Sequence, residues 1–475
     1  MKFETVIGLE IHAQLKTDTK IFCGCRTPFG DEPNTHSCPV CLALPGSLPV
    51  LNREVVKKAV RAGLATNHTI RKESVFARKN YFYPDLPKGY QISQYELPIC
   101  ENGYLDITVD GAVKRIGITR IHLEEDAGKL IHDQDTDTLF DVNRGGSGLI
   151  EIVSEPDMRS SEEAYRYLVT LKKILQYIDV CDCNMEEGSL RCDANVSVRE
   201  VGETKLGTKA ELKNMISFSN VKKAIDYEVA RQIDLVESGG KVIQQTFLWD
   251  ANKNITIAMR TKESADDYRY FPDPDLPALI VEDRMIEDEK NALIELPQAK
   301  EKRFTNQYGL DADAVAVLTE TVEIADYYEK TTDFCKNAKL AAGWILTDIL
   351  KILKDKQCAL RDLKISEEKL AKIINLVQSD KISASAGKKI LAAVEESGKD
   401  PQILVDELGL AQVSDSGELQ AVMEKIFADN PSETERLKAG DSKLMSFFIG
   451  QAMKASGGKA NPKEVNRIVG ELLKK

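Results

Sequence analysis

Two stretches of alternating sequence carry side chains that could bind a metal ion or a phosphate group. In residues 6–15 and 189–199, apolar side chains occupy every second position, which is typical of strands with one buried face. The polar positions between them include Glu10, His12, Arg191, Asp193 and Asn195. Carboxylates and an imidazole are ligands for divalent cations, and arginine pairs with phosphate oxygens. An ordinary solvated sheet face also alternates in this way, so the pattern alone leaves both interpretations open.

Two further predicted strands add acidic residues to this set. Residues 116–125 end in Glu125, and residues 149–153 are apolar except for Glu151. A lone carboxylate in an apolar run is costly to bury unless it meets a cation or a donor. We therefore expect Glu151 to face a metal ion or an arginine.

Four of the ten cysteines form two close pairs. Cys23 and Cys25 are followed, after twelve residues, by Cys38 and Cys41. Two short pairs separated by a loop are typical of a tetrahedral zinc site, whereas four unrelated buried cysteines are the alternative. Because thiolates would fill all four positions, zinc here would be structural.

Three segments have the composition of substrate-binding loops. Residues 76–90 interleave aromatic and cationic side chains, residues 141–148 are rich in glycine, and residues 259–277 combine both charge signs with three prolines. Such loops can stack a base or approach a phosphate closely, although packed loops and turns have similar sequences. The candidate binding residues in them are Lys79, Tyr81, Asn143, Arg144, Arg260 and Lys262.

The pattern of the chain predicts a fold of strands followed by helices. Short alternating strands dominate to about residue 295, with helices predicted after Ser160 and after Ser219 or Asn220, and helical spacing dominates the remainder. A chain of 475 residues is too long for one core. We expect an α+β protein with a helical domain at 296–403 and a small helical tail domain at 404–475.

Charge and hydropathy restrict where the protein works and what it binds. The net charge is −12, so the chain as a whole would repel nucleic acid. The last forty residues are an exception, with nine Lys or Arg against three acidic residues. No apolar run reaches the ~18 residues of a membrane helix, and the first residues do not resemble a signal peptide. We expect a cytoplasmic protein without membrane contact.

The absence of several sequence motifs excludes some classes of active site. The chain contains no G-x-x-x-x-G-K-[ST] loop and no H-E-x-x-H motif, and no nucleophile context stands out around its five histidines. What remains is an acidic sheet face with nearby arginines. Carboxylates around Mg2+ with arginines on phosphate oxygens are typical of phosphoryl transfer, so the sequence favours an enzyme that uses ATP.

Five motifs together carry a family resemblance over the whole length of the chain. They are residues 8–15 (GLEIHAQL), the four cysteines, residues 78–91 (RKNYFYPDLPKGYQ), residues 141–144 (DVNR) and residues 267–276 (DYRYFPDPDL). The chain resembles the B subunits of the tRNA-dependent aspartyl/glutamyl amidotransferases. The resemblance implies a cradle-shaped catalytic domain at 1–295, built on an antiparallel sheet like that of glutamine synthetase and holding the zinc site. Two all-α domains would follow, the second of which contacts tRNA.

The resemblance also implies an activity, a set of partners and a set of site residues. The enzyme would phosphorylate the side-chain carboxyl of Glu on tRNA(Gln), or Asp on tRNA(Asn), and replace the phosphate with ammonia. The amidase (A) partner of a heterotrimer would supply this ammonia from glutamine, and a small (C) partner would brace the complex. The implied catalytic residues are Glu10, His12, Glu125, Glu151 and Asp193, of which the first four would hold Mg2+. The implied zinc ligands are Cys23, Cys25, Cys38 and Cys41, and the expected tRNA contacts are Lys438, Lys443, Lys454, Lys459 and Lys463.

Two other functions are compatible with the residues. A free-standing ligase similar to glutamine synthetase would act on a small amino acid and would not need the basic tail. A non-catalytic tRNA-binding scaffold would use the acidic face as a structural metal cluster and would release no ADP.

Overall fold

The chain folds into two compact units, Met1–Pro297 and Gln298–Lys475. The structure is a computed structural model, and it describes residues 2–132, 135–259, 265–412, 416–456 and 460–473. No helix in these ranges is both long and apolar enough to cross a membrane.

All the described strands lie in the first unit, together with four helices. The strands are β1 (Phe3–Gln14), β2 (Thr69–Ile70), β3 (Glu73–Ser74), β4 (Phe76–Asn80), β5 (Tyr90–Gln94), β6 (Cys100–Val109), β7 (Ala112–Glu125), β8 (Lys129–Ile131), β9 (Leu139–Asp141), β10 (Gly148–Ser154), β11 (Leu190–Glu200), β12 (Ala210–Lys213), β13 (Thr246–Asp250), β14 (Ile255–Ala258), β15 (Phe271–Pro272) and β16 (Leu279–Ile280). The helices are α1 (Arg53–Ala65), α2 (Ser161–Tyr177), α3 (Phe218–Glu237) and α4 (Asp283–Ala292), with a 3-10 turn at Ala265–Tyr268.

A twelve-stranded mixed sheet forms the centre of the first unit. Its main order is β14-β13-β12-β11-β1-β10-β7-β5-β4-β15, and β6 also pairs with β7 and with β2. The described pairs are antiparallel except for β12 with β13, which run parallel. This large sheet and the many helices make the fold α+β, as the sequence predicted.

The alternating sequence of β1 and β11 explains which face of the sheet is buried. Ile7, Leu9 and Ile11 are buried in the same core as Ala194 of β11 and Leu171 of α2. Period-two alternation therefore places the polar residues of both strands on the opposite face. The chemistry-bearing side chains predicted from sequence lie on that face.

Side-chain caps fix where α2 and α3 begin. The Ser160 hydroxyl accepts a hydrogen bond from the Glu163 amide, as the sequence predicted for α2. The prediction that Ser219 or Asn220 caps α3 is wrong, because the extended residue Ser217 accepts from the Asn220 amide. The helix therefore begins earlier than its apolar pattern indicated.

The second unit contains helices throughout its described elements. They are α5 (Pro297–Tyr308), which begins at the unit boundary, α6 (Ala312–Leu318), α7 (Val322–Cys335), α8 (Ala338–Trp344), α9 (Leu350–Lys356), α10 (Glu367–Gln378), α11 (Ala384–Ser397), α12 (Pro401–Glu407), α13 (Ser416–Asp429), α14 (Pro431–Lys438), α15 (Leu444–Ala455) and α16 (Pro462–Leu472). A π-helical turn, Ile345–Ile349, joins α8 to α9, and a 3-10 turn spans Leu360–Asp362. The buried side chains form two separate cores, one between Phe304 and Val405 and one between Leu419 and Val469. The division into helical domains 296–403 and 404–475 stays a prediction.

Candidate active site

Strand register brings three polar residues of distant sequence into one row. His12 of β1 lies opposite Glu151 of β10, which lies opposite His122 of β7. Glu124 is two positions beyond His122, so it projects from the same face. The four side chains form what we call the imidazole–carboxylate cluster.

The distances within this cluster are those of direct ionic contacts. The His12 Nε2 atom lies 3.3 Å from a Glu124 oxygen and 3.4 Å from a Glu151 oxygen. The His122 Nε2 atom lies 3.2 Å from the same Glu151 oxygen. One ligand atom each from His12, Glu124 and Glu151 lie within 4.8 Å of one another. Two carboxylates and an imidazole at this spacing fit a divalent cation such as Mg2+ or Mn2+.

The imidazoles and carboxylates of the cluster stabilise each other's charged forms. Burial alone would raise the pKa of Glu124, but the His12 imidazole outweighs it and lowers that pKa to about 2. Burial alone would lower the pKa of His12, but Glu151 and Glu124 raise it well above its usual value. Without a cation, protons on the imidazoles therefore balance the two carboxylates.

A second polar group lies beside this cluster on β1, β11 and β12. Glu10 is opposite Asp193 in the strand register, and its carboxylate accepts a 2.8 Å hydrogen bond from the Asn195 amide. Asp193 is ion-paired with Lys213 of β12. Burial alone would lower the pKa of Lys213, but Asp193 and Glu211 raise it, so this ammonium stays charged beside the site. Lys213 was not among the predicted site residues. Its spacing of two from Glu211 on β12 could have placed both side chains on the same face of the sheet.

Two arginines converge on one buried carboxylate. The Arg191 guanidinium lies 2.9 Å from an Asp126 oxygen, and the Arg144 Nε atom lies 3.5 Å from the same oxygen. Arg144 also donates to the backbone oxygens of Ala127 and Gly128, at 3.1 and 2.8 Å. Because Arg191 lies opposite His12 in the β1–β11 register, this pair sets a positive charge next to the imidazole–carboxylate cluster.

The structure places Glu125 away from the ligand set that contains His12. Its carboxylate is paired with Lys88 and accepts a 2.8 Å hydrogen bond from the Ile92 amide. Glu124, not Glu125, contacts His12. The period of two along β7 is the signal that assigns Glu124 to the face of His122.

The other predicted substrate residues have different surroundings. Tyr81 lines a cavity of about 590 Å³ together with Asn80, Phe82, Tyr83, Asp85, Asp267 and Arg269. The Lys79 ammonium lies 4.9 Å from the centre of the Tyr268 ring. Asn143 is engaged by the four-cysteine loop, since it accepts from the His36 amide and donates to the Glu32 carbonyl. Arg260 and Lys262 lie outside the described residues.

The four predicted zinc ligands lie together. Their sulfur atoms are within 4.8 Å of one another, with Cys41 Sγ 3.5 Å from Cys23 Sγ and 3.8 Å from both Cys25 Sγ and Cys38 Sγ. A tetrahedral zinc with Zn–S bonds of about 2.3 Å requires S–S distances of about 3.8 Å. A hydrogen bond with Cys23, together with the Lys20 ammonium, outweighs the effect of burial and lowers the pKa of Cys41 to about 4. A hydrogen bond with Cys41 and burial raise the pKa of Cys23, and burial and a hydrogen bond with Cys38 raise the pKa of Cys25. The spacing of the four sulfur atoms fits zinc.

Comparison with known proteins assigns the family. Residues 5–287 match the GatB/GatE catalytic domain, and residues 326–473 match the GatB domain. The chain is 53% identical over 473 residues to the B subunit of the aspartyl/glutamyl-tRNA(Asn/Gln) amidotransferase of Trichlorobacter lovleyi, covering all of both chains. The chain belongs to the amidotransferase B-subunit family. It is also 52% and 51% identical to the proteins of the same name from Caldanaerobacter subterraneus and Carboxydothermus hydrogenoformans, and these alignments cover at least 99% of each chain.

Both polar groups of the site lie in the region that matches the catalytic domain of this B-subunit family. The predicted tRNA-contacting lysines lie instead in the region that matches the GatB domain. Lys463 is paired with Asp380 at 2.8 Å, and Lys438 lies 3.8 Å from Glu435. Lys443 and Lys454 are exposed and have no ion pair within the described ranges. Lys459 lies outside the described residues.

Proposed function

We propose that this member of the B-subunit family phosphorylates the side-chain carboxylate of Glu on tRNA(Gln), or of Asp on tRNA(Asn), and converts it to the amide. The reaction class is a ligase that forms a carbon–nitrogen bond with glutamine as the amido donor. The observation that carries the proposal is the imidazole–carboxylate cluster, in which His12, Glu124 and Glu151 could hold a metal ion, with Arg191 beside it on the same sheet face. Membership of the B-subunit family supports the same reaction.

The chemistry explains why activation is needed. A carboxylate is a poor electrophile, because attack by ammonia would have to expel oxide. Transfer of the γ-phosphoryl group from ATP to a carboxylate oxygen gives an acyl phosphate and ADP. Ammonia then attacks the carbonyl carbon, the bond from that carbon to the phosphate oxygen breaks, and the nitrogen loses a proton. The products are the amide and inorganic phosphate.

We assign the metal role to His12, Glu124 and Glu151, with Glu10 nearby on the same strand face. When bound there, Mg2+ would neutralise the charge that builds up on the phosphate oxygens. The Arg191 guanidinium and the Lys213 ammonium can pair with further phosphate oxygens from the β11 and β12 side. Arg144 positions Asp126, which in turn orients Arg191.

The cavity lined by Tyr81 is the proposed place for the aminoacyl end or the nucleotide. Its aromatic side chains can stack on a base. If the loop at residues 76–90 closed over the site, it would exclude water, which would otherwise compete with ammonia for the acyl phosphate. We further propose that the amidase (A) partner delivers this ammonia, that a small (C) partner completes the heterotrimer, and that zinc braces the four-cysteine loop. The reaction would take place in the cytoplasm, in a cradle-shaped catalytic domain followed by two helical domains.

The test is ADP release by the chain co-expressed with its amidase and small partners. Mg-ATP and ammonium are supplied with Glu-tRNA(Gln), with free glutamate or with neither, for wild type, Glu151→Gln and Glu4→Gln. Glu4 is the matched control, because it lies on β1 but is paired with Arg199 far from the cluster.

We expect ADP release and amide formation to require charged tRNA, to collapse in Glu151→Gln and to persist in Glu4→Gln. Turnover with free glutamate would instead identify a small-molecule ligase. An intact complex that releases no ADP under any condition would identify a scaffold.

A further inference from the structure

Lys20 is a buried cation to which the described residues offer no carboxylate partner. Its side chain is fully buried, and its ammonium donates to the His36 carbonyl at 2.8 Å, the Val142 carbonyl at 3.2 Å and the Cys41 sulfur at 3.4 Å. In the described part of the chain, Lys20 makes no ion pair with Asp or Glu. An unpaired buried ammonium is strongly unfavourable, so this position requires an anion.

The four-cysteine site supplies that anion when it holds zinc. Four thiolates around one Zn2+ leave an excess of two negative charges in a partly buried site. The ammonium beside Cys41 offsets this charge, and its N–H···S hydrogen bond withdraws electron density from the thiolate. Among the described residues, the only charged side chain that Lys20 contacts is therefore the Cys41 thiolate of the zinc site.

The same ammonium reaches a segment that leads to the candidate active site. The Val142 amide donates to the Asn34 side chain at 2.8 Å, and the His36 amide donates to the Asn143 side chain at 2.8 Å. The Ile21 amide donates to the Gly146 carbonyl at 3.0 Å. The four-cysteine loop and residues 142–146 are thus hydrogen-bonded to each other along their length.

Residues 142–146 also determine the position of the arginine pair. Arg144 contacts Asp126, the Gly146 amide donates to the Asp126 carbonyl at 2.8 Å, and Asp126 pairs with Arg191. A displacement of this segment would therefore move Asp126 and, through it, Arg191, which lies opposite His12 in the strand register.

We propose that Lys20 is an outer-sphere partner of the four-cysteine zinc site and couples the occupancy of that site to the position of residues 142–146. Lys20 is a positioning residue, since it contacts none of the reacting groups. The inference rests on the proposed zinc site and goes beyond it, because it links zinc to the orientation of Arg144.

The first test compares zinc binding by the co-expressed complex carrying Lys20→Met, Lys20→Gln or Lys16→Met. Lys16 is the matched control, because it lies four positions earlier and pairs with Asp179 at the surface. Competition with a chelator measures zinc affinity, and loss of an outer-sphere partner typically weakens it by about 10–100-fold. We expect that loss in both Lys20 variants and no change in Lys16→Met. Cobalt substitution adds a spectroscopic readout, in which the thiolate-to-metal band shifts to lower energy only in the Lys20 variants.

The second test follows amide hydrogen exchange of residues 142–146 before and after zinc removal. In wild type, chelation should increase exchange of this segment. In Lys20→Met, exchange should already be fast and chelation should add little. If Lys20→Met does not fold, Lys20→Gln, which keeps a neutral donor, is used in its place.

The outcomes distinguish failure of the zinc site from failure of the role of Lys20. Purified wild-type complex that binds no zinc would refute the proposed zinc site. Zinc bound equally tightly, with an unchanged cobalt spectrum, in the Lys20 variants would overturn the role of Lys20 while leaving the zinc site intact. If the amide exchange rates of residues 142–146 in wild type do not change when zinc is removed, the positioning role is overturned.

Discussion

The titrations of the side chains in the imidazole–carboxylate cluster are coupled. His12 and His122 each contact Glu151, and His12 also contacts Glu124, so a change at one group alters the protonation of the others. A bound cation would replace imidazole protons, because the metal requires the neutral ring nitrogen. The acidity of the cluster and its metal affinity are therefore linked.

Glu124 and Glu125 are neighbours in sequence with different contacts, which makes them a matched pair. Glu124→Gln should weaken Mn2+ affinity by at least about tenfold, because a ligand oxygen of the cluster loses its charge. Glu125→Gln should weaken it less, since that carboxylate is engaged by Lys88 and the Ile92 amide. Titration of Mn2+ followed by electron paramagnetic resonance measures both. A larger loss in Glu125→Gln would contradict the assignment of the metal ligands.

His68 makes a separate prediction about acid stability. Burial lowers its pKa from 6.5 to about 4, so the folded protein keeps a neutral imidazole while the unfolded chain takes up a proton below pH 6.5. The free energy of unfolding should therefore fall as the pH drops from 6.5 towards 4, by about 3 kcal/mol at most from this group.

Urea unfolding at a series of pH values measures this contribution. His68→Gln should flatten the pH dependence over that interval, whereas the exposed control His132→Gln should not. Equal slopes in wild type and His68→Gln would show that His68 is not the titrating group.

At the scale of secondary-structure elements, local pattern predicted much of the fold and part of the site. The alternation of β1 and β11 identified both faces, including His12 and Arg191, because a strand's period of two is a local property. Pairing is not local: His12 contacts Glu124 and Glu151 across more than a hundred residues, and only the register of the folded sheet sets those contacts. For this reason the sequence did not predict that His122 belongs to the cluster.

The start of α3 shows the same limit on a smaller scale. Ser217 and Ser219 both have a residue type suited to capping, and only the backbone conformation selects Ser217. Ser217→Ala should lower the free energy of unfolding by about 1 kcal/mol, and Ser219→Ala, which removes an exposed hydroxyl, should change it far less. Urea denaturation of the two variants checks this. A greater loss for Ser219→Ala would refute the assigned cap.

At the scale of the whole molecule, the uneven charge distribution predicts how tRNA binds. An acidic chain with a basic end should bind nucleic acid through that end, and each lysine that contacts a phosphate releases counterions. Lys443 and Lys454 are exposed without an ion pair in the described residues, whereas Lys463 is already paired with Asp380.

We therefore expect the double variant Lys443→Ala/Lys454→Ala to bind tRNA more weakly. The slope of log affinity against log salt should fall by about 1 for each lysine–phosphate pair removed. Lys463→Ala should have the smaller effect. Filter binding of tRNA to the complex over a range of salt concentrations measures both quantities. An equal loss of affinity in Lys463→Ala and in the double variant would contradict a specific role for the unpaired lysines.

In the reaction that we propose, the side-chain carboxylate is activated as an acyl phosphate at the imidazole–carboxylate cluster. The most direct test supplies Glu-tRNA(Gln) whose side-chain carboxylate carries a heavy-oxygen label, together with Mg-ATP and ammonium, and determines the mass of the inorganic phosphate released. We predict that each amide formed transfers one labelled oxygen to phosphate in wild type and Glu4→Gln, with neither product in Glu151→Gln. Amide formation accompanied by unlabelled phosphate would contradict the account.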